Sequence, residues 1–328
     1  MDKIKLHNIE KDVSRIALGT WAIGGWMWGG TEEKESIKTI LTAIDKGINL
    51  IDTAPVYGFG TSEKIVGKAI QEYGKRDDLV LVTKVGLDWK NEKPFRNSSK
   101  ERLQKELDDS LKRLQTDYID VYMIHWPDPL VPFDETAEQM EKFKKQGKIK
   151  SIAVSNYSPE QMEQFKKGGN LDVCEPPYNL FERGIEKDVL PYCKEYDIKT
   201  LVYGSICRGL LSGKMQRDRQ FEGDDLRKAD PKFQGERFEM YLSAVDKLDK
   251  FANDNYGKKV IHLAVRWLLD QGADIALWGA RKPEQLDVID DMSGWHLSEE
   301  DMKQIDTILK NTITDPVGPE FMAPPSRE

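Results

Sequence analysis

The feature that most restricts what this chain can fold into is a regular alternation of short apolar runs with longer amphipathic stretches along nearly its whole length. Strand-like runs fall at 16–20, 50–53, 79–84, 119–125, 149–155, 173–178, 200–204 and 275–279. Most are rich in Val, Ile and Leu without clean alternation, as expected of strands covered by helices on one face and packed on the other. Helix-period segments separate them at 32–46, 62–73, 98–114, 134–146, 159–167 and 185–196. A longer pair, near 237–255 and 260–270, precedes the last strand. Gly47, Gly74 and Gly147 stand where helices should stop, and Ser98 and Ser158 where two should start. Eight strands, each associated with a helix, predict one α/β domain over residues 1–328, built as a closed (β/α)8 TIM barrel. The competitor is an open doubly wound sheet, and it lacks the early Gly-x-Gly-x-x-Gly turn that such sheets use for dinucleotides.

Two segments exceed a minimal barrel. Residues 216–236 form a charged connection too long for a routine turn between the last two strands, and in an enzyme such an excursion serves as a lid. The stretch 311–328 carries Pro316, Pro319, Pro324 and Pro325 and is expected to be irregular.

Charge and cysteine content narrow the class. With 49 basic against 57 acidic residues the net charge is −8, which argues against a general nucleic-acid or membrane binder. Three dispersed cysteines (Cys174, Cys193, Cys207) make neither a disulfide framework nor a zinc ribbon, and the four histidines form no close pair for a metal. No signal-like h-region opens the chain, and no apolar run approaches the ~20 residues that span a bilayer, so a cytoplasmic setting is expected.

Four ionisable residues fall at or just past successive strand ends. Asp52 closes the second, with Tyr57 five residues later, while Lys84 ends the third and His125 the fourth. Alone, Asp52 reads as a turn residue, Lys84 as a surface charge and Tyr57 as loop packing. In order on consecutive strands of a barrel, all four converge on the C-terminal mouth, where active sites of this fold lie. Their chemistry suits hydride addition to a carbonyl, whose oxygen then needs a proton. Tyr57 can donate it, Lys84 should lower the phenol's pKa from about 10, Asp52 should keep the lysine charged, and His125 can orient the carbonyl.

These residues sit in longer motifs. The run 50–58, Leu-Ile-Asp-Thr-Ala-Pro-Val-Tyr-Gly, resembles the aldo-keto reductase segment that holds the catalytic Asp and Tyr, with Gly67 at the usual distance. Val82-Thr83-Lys84 resembles the lysine strand. The run 111–120, followed by His125-Trp126-Pro127, is similar to the family's central signature. The likeness extends from about residue 16 to 295, and the Gly-rich opening and Pro-rich tail look most like bacterial general-stress and sugar-metabolising members.

The resemblance implies NADP(H) bound without a separate dinucleotide domain. Thr20, Trp21 and Asp52 would touch it from the early strands, and Ser155 and Asn156 would hold the nicotinamide carboxamide. Glu175 stands where glutamine is usual, and Tyr203 would stack on the ring. The loop Gly204, Ser205, Cys207, Arg208, Gly209, Leu210, Gly213 and Lys214 resembles a pyrophosphate-binding turn. Gly279, Ala280, Arg281 and Gln285 would take the adenosine 2′-phosphate, Arg281 bidentately, which points to NADP over NAD. Ile289 replaces a residue that is often polar in the family. Trp21, Tyr57, Trp89, His125 and Trp126 are expected to line the pocket of a small carbonyl substrate, and the loop 221–228, with Asp224, Asp225 and Arg227, to close over the dinucleotide as a belt. Some barrels of this type act instead as cofactor-sensing partners of other proteins, and the same tetrad is compatible with that role.

Overall fold

The computed structural model describes residues 1–327. Eight parallel strands close a barrel in sequential order: β1 (Ile16–Gly19), β2 (Leu50–Asp52), β3 (Val80–Val85), β4 (Ile119–Ile124), β5 (Ile149–Ser155), β6 (Val173–Glu175), β7 (Lys199–Val202) and β8 (Ile275–Gly279), with β8 pairing back to β1. The expected (β/α)8 barrel is therefore the architecture, and each expected strand lies within a few residues of an observed one. The outer helices are α1 (Glu33–Asp45), α2 (Thr61–Tyr73), α3 (Lys100–Leu114), α4 (Phe133–Lys145), α5 (Pro159–Lys166), α6 (Val189–Glu195), α7 (Gly235–Tyr256), α8 (Val260–Asp270) and α9 (Glu299–Thr312).

Local chemistry sets several of these boundaries. Ser158 caps α5 through a full capping box with Gln161, and Pro159 sits in its first turn. The α3 cap is Ser99, one residue later than expected, its side chain accepting from Arg102 N, while the Ser98 backbone N–H donates to Asp128.

Two apolar shells fill the fold, and the period-2 alternation of each strand divides its residues between them. Leu50, Val80, Val82, Val121, Met123, Ala153, Val173, Leu201, Ile275 and Leu277 pack in one cluster inside the barrel. Leu18, Ile51, Leu81, Tyr122, Ile152, Val154 and Trp278 join the shell beneath the helices. Leu6, Ile9 and Val13, from an N-terminal hairpin pairing Lys3–Ile4 with Val13–Ser14, join the inner cluster. That hairpin was not foreseen, nor was a second one, Leu87–Lys90 with Lys93–Arg96, after β3.

The tail departs from expectation at its start. α9 runs to Thr312 from a capping box between Ser298 and Asp301, so the irregular stretch begins only at 313. Beyond it the chain crosses back over the mouth: Pro325 O accepts from Arg96 N at 2.9 Å, and Arg327 donates to Asp128 at 2.6 Å. The last residue of that expected stretch, Glu328, lies outside the described residues. The 216–236 excursion contains two short 3-10 turns, Leu226–Lys228 and Pro231–Phe233, before α7 begins.

Candidate active site

Inward-facing positions recur every second residue, so the residue two beyond the last lumen-facing apolar side chain also points inward, at the barrel's mouth. Leu50 thus leads to Asp52, Val82 to Lys84, Met123 to His125, Ala153 to Ser155, Val173 to Glu175 and Leu201 to Tyr203. Lys84 Nζ donates to Asp52 Oδ2 at 2.5 Å and to Thr53 O at 3.2 Å, and Glu175 Oε1 lies 3.4 Å away. Lys84 is fully buried, and its ammonium is 5.3 Å from the Tyr57 ring centre. His125 meets that ring edge-on at 5.8 Å, and Trp21 stacks on it at 5.9 Å. The four expected catalytic residues are thus one cluster.

Tyr57 is positioned by a backbone contact that only glycine permits. A Cβ on Gly24 would stand 2.6 Å from the Tyr57 carbonyl, and one on Gly58, whose φ is +67°, would stand 2.1 Å from Gly24 O. The loop after β1 therefore presses directly on the loop that carries the tyrosine.

Burial works against every charge in the cluster. For Lys84, Asp52 and Glu175 outweigh it, and the ammonium persists beyond the ordinary lysine range. For Glu175, burial and the adjacent Asp52 hold the carboxyl well above its ordinary value despite Lys84. Burial also raises Asp52, against Lys84. The expectation that Lys84 brings Tyr57 below its usual pKa is corrected here: burial pushes the phenol up, and Lys84 only partly offsets it. Tyr57 thus keeps its proton at neutral pH. Burial and the Lys84 charge push His125 well below the usual histidine value, leaving a neutral imidazole.

A cavity of about 710 Å³ opens from this cluster. Its wall includes Trp21, Asp52, Tyr57, Tyr203, Gly204, Ser205, Arg208, Gly209, Gly279, Ala280, Arg281 and Gln285, all expected, with Arg227 from the expected 221–228 loop, together with Glu35, Arg219 and Met322, which were not expected. Arg219 and Met322 reach the wall from the excursion and the tail, whose paths no local pattern reveals. Ser155, Asn156, Glu175, Lys84 and His125 are not part of this wall; Lys84, Asn156 and His125 stand behind it against Asp52, Tyr203 and Tyr57. Asn156 donates to His125 O at 3.1 Å and accepts from the Tyr203 hydroxyl at 2.8 Å, while Ser155 donates to Glu175 O at 2.8 Å.

Several expected contacts take another form. The Thr20 hydroxyl turns inward, donating to Asp52 O at 2.8 Å beside Ser62. Cys207 and Leu210 are buried in the body, and Gly213 and Lys214 are exposed and stand off the cavity wall. Arg208 is no free phosphate clamp: its guanidinium is buried between Glu182 and Asp230, with Lys232 as the fourth charge. Arg281 makes its two-pronged contact with backbone, donating to Trp28 O at 2.7 Å and Gly30 O at 2.5 Å, while Gln285 caps its own turn by accepting from Arg281 N at 2.7 Å. Trp126, Trp26 and Phe59 pack around Val56, Tyr57 and Leu87, and Trp89 leans on Phe59 at 5.4 Å, so Trp89 and Trp126 flank the tyrosine side of the mouth.

A closed barrel with a lysine held by an aspartate beneath a buried tyrosine, and a histidine on the next strand, defines an oxidoreductase-type site. Residues 15–310 match the Aldo/keto reductase family, and the chain belongs to that family. It is 64% identical over 318 residues to the aldo-keto reductase YhdN of Bacillus subtilis (strain 168), covering 97% of this chain and 96% of the other. It is 36% identical over 304 residues to the NADH-specific methylglyoxal reductase of Escherichia coli (strain K12), covering 87% and 91%. Among solved structures, the glycerol dehydrogenase of Gluconobacter oxydans superimposes with a TM-score of 0.89 at 51% identity over 98% of this chain and 99% of that one. The chain is an oxidoreductase of the aldo-keto type, and such enzymes use nicotinamide cofactors.

Proposed function

We propose that this enzyme reduces small aldehydes and ketones, methylglyoxal and the keto counterpart of glycerol among them, with NADPH as hydride donor, and that it also runs the reverse alcohol oxidation. The observation that carries this reading is Lys84, locked to Asp52 and facing the Tyr57 ring, beside a cavity whose wall includes Asp52, Tyr57 and Arg281. The donor set fits a dinucleotide phosphate: Arg208, Arg219, Arg227, Arg281 and Lys282 all line the cavity, although Arg208 and Arg227 are already paired with Glu182 and Asp225. The reduced nicotinamide supplies a hydride when bound.

The chain's own residues do the remainder. Tyr57 gives its proton to the carbonyl oxygen as negative charge develops there. Lys84 stabilises the resulting phenolate, and Asp52 keeps Lys84 charged and aimed. Neutral His125 donates one ring N–H toward the oxygen and orients it. Trp21, Trp89 and Trp126 exclude water and favour a small substrate. Ser155, Asn156, Glu175 and Tyr203 form the nicotinamide end. Gly204, Ser205 and Gly209 let backbone approach the pyrophosphate, and Gly279, Ala280, Arg281 and Gln285 take the adenosine end. Supporting NADP over NAD are the cationic residues of the cavity wall, though Glu35 stands beside Lys282 among them and the Escherichia coli relative is named NADH-specific. The excursion acts as a belt, a reading supported by its bonds to the loop after β1. A cytoplasmic setting and a small-molecule partner complete the proposal.

The test is oxidation of NADPH, and of NADH in parallel, against a panel of aldehydes and ketones by wild type and Tyr57→Phe. Turnover that needs the phenol and prefers NADPH is expected. Binding of NADPH without turnover of any carbonyl would overturn it.

A further inference from the structure

The mouth holds one ionisable group more than proton delivery to a carbonyl requires. Glu175 ends β6, two residues beyond the lumen-facing Val173, and its Oε1 lies 3.4 Å from Lys84 Nζ. Its other oxygen, Oε2, is buried and has no hydrogen-bond partner among the described residues. The groups facing it are Asp52 from β2, Lys84 from β3, Tyr57 from the loop after β2 and Tyr203 after β7, with the thiol of Cys174 beside it on its own strand. Lys84 is the one cation in that set, and it already bonds Asp52.

Counting charge in this dry pocket leads to a choice. With both carboxyls ionised the cluster carries one uncompensated negative charge, which burial disfavours strongly. Two events can neutralise it: a proton on the Asp52–Glu175 pair, or a cation arriving beside it. The proton is held on Glu175 because Asp52 is the carboxyl bonded to Lys84, at 2.5 Å against 3.4 Å for Glu175. The nicotinamide ring differs between its two states in this respect, neutral when reduced and positively charged when oxidised. Resting on the functional reading above, we propose that Glu175 is a switchable counter-charge for the nicotinamide: it is protonated beside the reduced ring and ionised beside the oxidised ring, releasing its proton to solvent when oxidised cofactor binds. The proton passes from the carboxyl to bulk buffer, and no other bond changes in that step. The site thereby favours the oxidised cofactor, and with it alcohol oxidation, increasingly as pH rises, by a route separate from Tyr57.

The experiment is a titration of the full chain with NADP⁺ and, separately, NADPH, following tryptophan fluorescence from about pH 6 to about pH 9, between the ordinary carboxylate and tyrosine ranges. The 2′-phosphate titrates in both forms, so the quantity read is the ratio of the two dissociation constants. That ratio should move in favour of NADP⁺ by up to about tenfold per pH unit, the limit for one linked proton. An indicator dye in weak buffer should register proton release on NADP⁺ binding beyond that seen with NADPH. Glu175→Gln, of nearly the same shape, should flatten the ratio and abolish the extra release, with its melting temperature checked separately. Wild type whose ratio is pH-independent and which releases no extra proton overturns the inference, whatever the variant does. Persistence of the release in a folded Glu175→Gln protein overturns it equally. Failure of either dinucleotide to bind would instead bring down the functional reading beneath it.

Discussion

The carboxylate of Asp224 accepts the backbone N–H of Met27 at 2.6 Å and, through its second oxygen, that of Gly29 at 3.2 Å. One side chain of the excursion thus clasps the loop after β1, 197 residues earlier in the chain. Leu226 N adds a bond to Met27 O at 3.0 Å, and the Arg227 guanidinium lies 5.4 Å from the Trp28 ring centre.

Opening this clasp should loosen whatever lies beneath it. Charge-assisted bonds of this kind contribute roughly 1.5–3 kcal/mol, so Asp224→Ala should speed NADPH release by about tenfold or more. Stopped-flow fluorescence would measure that, and limited proteolysis within 216–236 should quicken. Cleavage equal to wild type, with and without NADPH, would remove the belt.

Tyr57→Phe should lower turnover roughly 10²–10⁴-fold while leaving NADPH affinity within about twofold, because only the proton is lost. The pH profile follows from the raised phenol and the depressed imidazole. A group that stays protonated past its ordinary value of about 10 continues to donate up to that pH, so reduction should show no fall assignable to Tyr57 below it. His125, already neutral, should add no step near about 6.5. An inflection there that disappears in His125→Gln would contradict the neutral assignment.

The buried quartet of Glu182, Arg208, Asp230 and Lys232 ties the loop after β7 to the excursion, and Lys232 also donates to Gly318 O in the tail at 3.1 Å. Arg208→Met leaves two buried carboxylates to one lysine and should cost about 3–5 kcal/mol, read as a lower urea midpoint. Burial opposes the Glu182 charge, but Arg208 and Lys232 outweigh it and hold the carboxyl below its ordinary value. Its stabilising contribution is therefore complete above the unfolded value near about 4.3 and disappears as pH falls through the lower folded one. The Arg208→Met protein should lose less stability than wild type on acidification over that window.

Gly58→Ala meets both a left-handed backbone and the Gly24 carbonyl at 2.1 Å. The conformation alone costs roughly 1–2 kcal/mol, and the clash must displace the tyrosine loop. Activity should fall at least about tenfold, with a lower melting temperature. An active variant of wild-type stability would show that the two loops separate freely.

By itself the sequence determined the barrel and the convergence of its candidate catalytic side chains, because both follow from short-range periodicity. Eight apolar runs with intervening helices leave little but a closed barrel, and Leu50-Ile51-Asp52, Val82-Thr83-Lys84 and Met123-Ile124-His125 each bring a polar side chain inward at a strand's end. The cap at Ser158 was legible too. What only the tertiary structure decided depends on residues far apart in the chain. Arg208 looked free until Glu182 and Asp230 met it, and Arg281 turned out to grip the carbonyls of Trp28 and Gly30. Tyr57 looked easily ionised until barrel and loops closed round it, since desolvation depends on every neighbour at once and Lys84 is only one of them. Periodicity is written locally, whereas charge balance and burial exist only once the chain has closed on itself.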